Sequence, residues 1–113
     1  MPITYIKTNE LARARAPEYG GEFAEIVNRD LCGAEDVSAS LRWLERGECL
    51  VASPLKNHHQ LIYLIEGEGE IDLEDQRYPA ERGAGVYLTP GEAAQIRATG
   101  NSTLKLLHLL AVS

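Results

Sequence analysis

Gln60-Leu-Ile-Tyr-Leu-Ile-Glu-Gly-Glu-Gly-Glu-Ile-Asp-Leu-Glu74 is the stretch whose reading decides the fold. Leu61 to Ile65 is an uninterrupted apolar run of β-compatible residues, and a strand apolar at every position is covered on both faces. Glu66-Gly67-Glu68-Gly69 reads as a turn. Glu70 to Glu74 then alternates polar and apolar, so the two segments read as a hairpin with one buried face. Downstream, Gly85 to Leu88 is a further strand, ended by Thr89-Pro90-Gly91, where Pro followed by Gly suits the centre of a type II turn. Ala94 to Ala98 and Leu104 to Val112 read as two more strands, separated by a turn at Thr99-Gly100-Asn101. Upstream, Ile3 to Lys7 reads as an edge strand. Thr8 to Arg13 reads as one helical turn, capped by Thr8 or Asn9 and closed by Pro17, Gly20 and Gly21. Glu22 to Val27 and Ser38 to Leu44 follow as strands. About nine short strands with no long 3.6-residue period mean a small antiparallel barrel or sandwich.

Composition narrows the class. The chain has 113 residues, 44% hydrophobic and 25% charged, which fits one globular domain over residues 1–113. A net charge of −6 with no basic run makes the chain a poor candidate for binding a nucleic-acid backbone. No apolar stretch approaches the ~20 residues of a membrane span. Met1 to Thr8 lacks the basic-then-apolar pattern of a secretion signal. The expectation is a cytoplasmic protein, with Cys32 and Cys49 as reduced structural thiols.

The strand pattern resembles a known family. Gln60 to Ile71 resembles the strand–turn–strand core of the first cupin motif, and Gly83-Ala-Gly-Val-Tyr-Leu-Thr-Pro-Gly91 resembles the second. The resemblance, to a small single-domain microbial cupin, covers residues 47–112 and leaves N-terminal strands and a turn in 1–36. It implies an all-β, cupin-like conserved β-barrel (a double-stranded β-helix, or jelly roll), commonly dimeric, with any site in the barrel mouth. The family's first motif places two His before a Glu and a Gly. Anchored on Gly67, the Glu position here is Gln60. The His positions are Ser53 and Leu55 in one spacing, with Gly47 first, or Pro54 and Lys56 in the other. The second motif reads Gly83, Thr89, Gly91, Ala94 and Ala98, so its His is Ala94. The family's metal centre needs imidazole and carboxylate donors, and by motif none of the four usual ligands is present. By this reading no metal cofactor is implied.

Strand parity keeps an alternative open. If Gln60 points inward, His58, Ile62 and Leu64 share its side and His59 faces away. On the last strand Lys105 avoids the interior, which turns Leu104, Leu106, His108 and Leu110 inward. His58, Gln60 and His108 would then line one cavity. They would act either as a displaced centre for a divalent metal (Fe, Mn, Ni or Zn) or as hydrogen-bonding groups around a small polar ligand. A two-residue bulge before Gln60 would restore a ligand register to the 53–60 loop. Arg97 and Arg42 are candidates to pair with a ligand carboxylate, against the plainer reading of a solvated face. Tyr87, with Tyr63 and Trp43, would offer stacking surface, against core packing or a dimer seam. Glu66, Glu68 and Glu70 read as a solvated turn. Cys49 has no feature that marks it as reactive. Leu61, Tyr63 and Ile65 face outward in this parity, and an apolar outer face must be covered by the N-terminal strand or a second copy, hence a homodimer.

Three functions follow. The first is a metabolite-binding barrel with a lost or rearranged metal centre, taking a sugar, keto acid or similar small molecule. The second is a cupin enzyme (dioxygenase, isomerase or epimerase, or lyase) built on His58, Gln60 and His108, or a metal-free one with His58 or His108 as general base. The third is a partner subunit, whose mark would be an interior fully packed with side chains.

Overall fold

The computed structural model describes residues 7, 11–15, 20–74 and 76–112. Among the described residues, ten strands and one short helix follow one another: β1 (Ala14–Arg15), β2 (Glu22–Val27), α1 (Arg29–Cys32), β3 (Val37–Leu44), β4 (Cys49–Ala52), β5 (His58–Glu66), β6 (Glu68–Leu73), β7 (Gln76–Glu81), β8 (Gly85–Leu88), β9 (Ala94–Ala98) and β10 (Leu104–Val112). They form a six-stranded sheet, β1-β2-β3-β10-β5-β8, and a four-stranded sheet, β4-β9-β6-β7. Every strand pairing is antiparallel. The all-β jelly-roll barrel expected from the sequence is the fold observed. Among the described residues no helix is long and apolar enough to cross a membrane.

Period-two alternation builds the core. Ile62 and Leu64 on β5, Val86 and Leu88 on β8, and Leu104 and Leu106 on β10 point between the sheets. There they meet Ile71 of β6, Ala80 of β7, and Ala94, Ile96 and Ala98 of β9. Ile62, Leu64, Ile96, Leu104 and Leu106 are fully buried, each contributing about 1.5–3 kcal/mol of hydrophobic transfer energy. The centre of the barrel is therefore packed with side chains. The type II turn at Thr89-Pro90-Gly91 forms as read: Glu92 N donates to Thr89 O at 3.1 Å, and Gly91 holds φ 90°.

The hairpin expected across Glu66–Gly69 does not form. β5 pairs with β10 and β8, whereas β6 pairs with β7 and β9. The segment instead carries the chain from one sheet to the other. It passes so close to its neighbours that a Cβ on Gly69 would lie 2.1 Å from Arg97 O, and one on Gly67 would lie 2.6 Å from Leu104 Cα. Both glycines serve this crossing.

The apolar run of β5 is also not covered on both faces by the described residues. Leu61 and Tyr63 are 39% and 45% exposed, while their neighbours Ile62 and Leu64 are buried. Strands β1, β4 and β7 and helix α1 went unread in the sequence. β7 lacks alternation and carries Pro79, which is tolerated at a sheet edge. α1 has local signals, since Asn28 Oδ1 accepts from Leu31 N at 2.8 Å and Gly33 closes it at φ 75°. Of the helical turn read over Thr8 to Arg13, Leu11, Ala12 and Arg13 are not helical. Thr8 to Glu10 and the expected strand residues Ile3 to Ile6 lie outside the described residues.

Candidate functional site

Among the described residues two buried polar side chains interrupt the apolar core: Gln60, 2% exposed, and His108, 9% exposed. Their meeting follows from register. β10 lies between β3 and β5, with Gln60 opposite Leu110 and Ile62 opposite His108, so both side chains share the inner face. Gln60 Nε2 donates to the backbone oxygen of Ser53 at 2.9 Å, and Gln60 Oε1 sits 2.8 Å from His108 Nε2.

This chain of bonds fixes the imidazole. Ser53 O only accepts, so the amide nitrogen of Gln60 must face it. Gln60 Oε1 then faces His108, and His108 Nε2 must carry the proton. Burial, and secondarily the positive charge of Arg42, pushes the His108 pKa down to about 4. The ring is therefore neutral near pH 7, and Nδ1 keeps a bare lone pair.

Arg42 arrives from β3. Its register partners are Leu106 on β10 and Phe23 on β2, which turns it to the inner face with Ser40 and Ser38. The guanidinium lies over the Phe23 ring, 4.9 Å from its centroid. Burial lowers the Arg42 pKa, and Glu25 partly offsets this. Its Nε is buried and has no hydrogen-bond partner, alone in this among the buried side-chain nitrogens and oxygens of the described residues. No described carboxylate forms an ion pair with Arg42. Arg42, His108, Ser38, Ser40, Phe23, Glu25 and Leu110 surround an open cavity of about 120 Å³ on the β2–β3 side of the barrel. A guanidinium without a close ion pair, the carboxylate of Glu25, a neutral imidazole and two hydroxyls thus share one small space.

The other candidates are dispersed. His58 Nδ1 lies 3.0 Å from Lys56 O, and the residue lines a separate cavity of about 200 Å³ with Asp36 and Val112. β5 pairs with β10 without a bulge from His58 to Leu64, so His58 and His59 keep the regular register of the strand. Arg97 faces outward on β9, opposite Cys49 of β4 and Glu70 of β6. A hydrogen bond and charge interaction with Cys49 raise its pKa. Tyr87 is 59% exposed on the outer face, stacked on His59 at 5.7 Å with its hydroxyl against His59 Nδ1. It also borders a larger cleft of about 440 Å³ with Glu74, Tyr78 and Glu92. In that cleft Glu92 is already bonded to the Thr89 amide and hydroxyl at 2.7 Å each, and no buried polar atom is left unpartnered. Trp43 is turned outward between Arg13 and Lys105. Cys32 and Cys49 are free thiols.

The residues at the family's metal positions do not fit an ion. The Gln60 amide is committed to Ser53 and His108, Ala94 has no donor atom, and His58 is engaged elsewhere. Among the described residues no three His, Cys, Asp or Glu side chains converge. The sequence signal for the Arg42 cavity was the alternation in β3, where Ser38, Ser40 and Arg42 oppose Ala39, Leu41 and Trp43. It did not say which side faced the barrel.

Comparison with known proteins agrees with this architecture. No curated protein matches the chain. Among solved structures, a predicted oxalate decarboxylase of Thermotoga maritima superposes with a TM-score of 0.86 at 18% identity, covering 97% of this chain and all of the other. The polyketide cyclase RemF of Streptomyces resistomycificus gives 0.81 at 13% identity, covering 99% of this chain and 81% of its own. An RmlC-like cupin of Shewanella frigidimarina gives 0.75 at 13% identity, covering 99% and 93%. Identities this low speak for the fold alone, and the named functions differ. The cupin domain family itself matches residues 44–110, well over half of the chain, and this protein belongs to that family.

Proposed function

We propose that this cupin domain is a small-molecule-binding barrel whose ligand carries a carboxylate, held by Arg42 in the cavity between β2, β3 and β10. One observation carries the reading: Arg42 lines this cavity and its guanidinium makes no hydrogen bond or close ion pair with a described residue. An unsatisfied buried donor costs about 1–3 kcal/mol, and a carboxylate meets a guanidinium through two parallel hydrogen bonds. Ser38 and Ser40 add adaptable hydroxyls, and Phe23 supplies an apolar wall. The test is a titration of the protein with propionate, pyruvate and lactate, followed by backbone amide shifts. Saturable shifts on β2, β3 and β10 that vanish in Arg42→Met support the reading. Absence of saturable binding, or binding indifferent to Arg42, overturns it.

The same cavity favours a second reading, an enzyme in which His108 Nδ1 takes a proton from the ligand. The free lone pair of a fixed tautomer supports it. Against it stands the ring's low basicity, since a general base works best with a pKa near the working pH and that of His108 lies at about 4. Binding is therefore the stronger reading. The packed barrel centre meets part of the condition for a partner subunit, but the polar cavity beside it does not.

A second copy covers the outer face of β5 and β8 in this proposal. Leu61, Tyr63 and Tyr87 are exposed there side by side, and apolar surface of this kind favours association. Sedimentation should give twice the chain mass for the natural protein and the monomer mass for Tyr63→Asp. A natural protein that sediments as a monomer at micromolar concentration excludes the dimer.

A further inference from the structure

We infer that the acid bound by Arg42 carries a hydroxyl beside its carboxylate, an α-hydroxy carboxylate, in preference to a keto or unsubstituted acid. The inference rests on the reading of Arg42 given above and adds the second half of the ligand. His108 donates Nε2–H to Gln60 and has one ring nitrogen left, Nδ1. That atom makes no hydrogen bond, and it is not among the buried unpartnered atoms, so it keeps access to the cavity that His108 lines. The cavity thus offers a donor fork at Arg42 and an acceptor at His108. Glu25, exposed at the rim and bonded by Asn28 Nδ2, accepts as well. Ser38 and Ser40 can turn either way and discriminate nothing.

A ligand with its carboxylate on Arg42 must therefore present a hydrogen to Nδ1. A hydroxyl does so. A keto oxygen would set lone pair against lone pair, and a methylene would leave the nitrogen unpaired. About 120 Å³ is the room of roughly four waters, enough for a carboxylate, the α-carbon and its hydroxyl. The neutral ring strengthens the argument, because an imidazolium would donate from both nitrogens.

The experiment is a calorimetric comparison of lactate, pyruvate and propionate on the natural protein and on Arg42→Met, with the His108 tautomer read from ¹⁵N shifts of the ring. Lactate should bind at least about tenfold more tightly than the other two, with Nδ1 unprotonated. Equal binding of the three acids, all lost in Arg42→Met, overturns the hydroxyl inference and leaves the carboxylate reading standing. So does a proton on Nδ1. Binding of none of them, or binding unchanged in Arg42→Met, overturns both.

Discussion

Replacing Arg42 with Met should make the empty protein more stable while removing its ligand. Met matches the length of the arginine stem and keeps an apolar contact with Phe23, but it leaves no buried N–H. Relief of the unpartnered Nε is worth about 1–3 kcal/mol. Loss of the guanidinium over Phe23, at 4.9 Å, costs about 0.5–1 kcal/mol. The net gain is about 0–2.5 kcal/mol, or up to about 10 °C in Tm for a chain of this length. Urea denaturation in a buffer free of carboxylates measures the gain directly, provided the slope with denaturant is unchanged. Adding ligand at a hundred times its Kd stabilises the natural protein by about 2.7 kcal/mol and the variant not at all, so the order of stability reverses. A variant more than 1 kcal/mol less stable than the parent would show that Arg42 holds the fold, and the reasoning would fail.

Gln60→Leu strands both Ser53 O and His108 Nε2–H, and should cost about 2–4 kcal/mol in urea denaturation; a loss below 1 kcal/mol would contradict the hydrogen-bond chain. Gly69→Ala forces a methyl to within 2.1 Å of Arg97 O and should cost about 3 kcal/mol or more, measured as a drop in Tm against a neutral surface control. The pH dependence follows from His108, whose folded pKa of about 4 lies below its ordinary 6.5. A depressed pKa means that the folded protein binds fewer protons, so this contribution is complete above pH 6.5 and is lost as the pH falls towards 4. Its size is roughly 3 kcal/mol. Urea midpoints at pH 7, 5.5 and 4.5 should therefore fall more steeply for the natural protein than for His108→Leu, and parallel slopes would refute the assignment.

Much of the fold was legible because period two is a strong local signal. Fixing Gln60 inward and Lys105 outward was enough to bring Gln60 and His108 onto one face, and they meet there at 2.8 Å. The Gly67–Gly69 segment misled because its glycines look like turn residues from the sequence. Their actual cause is distant, the backbone of Arg97 and Leu104 passing within van der Waals range. β7 was hidden because this edge strand buries only Ala80, too little to write an alternation into its sequence. Parity on β9 turns Arg97 away from the interior, and parity on β3 turns Arg42 into it. That distinction needs the order of strands in the sheet, which no local pattern contains.

The central position of β10 has a consequence for how the molecule is made. The segment Leu104–Val112 fills the gap between β3 and β5 and pairs along both. Until it leaves the ribosome, those two strands expose unpaired edges to any other nascent chain. Assembly of the larger sheet must therefore await translation of β10, and the long separations it closes make that step slow.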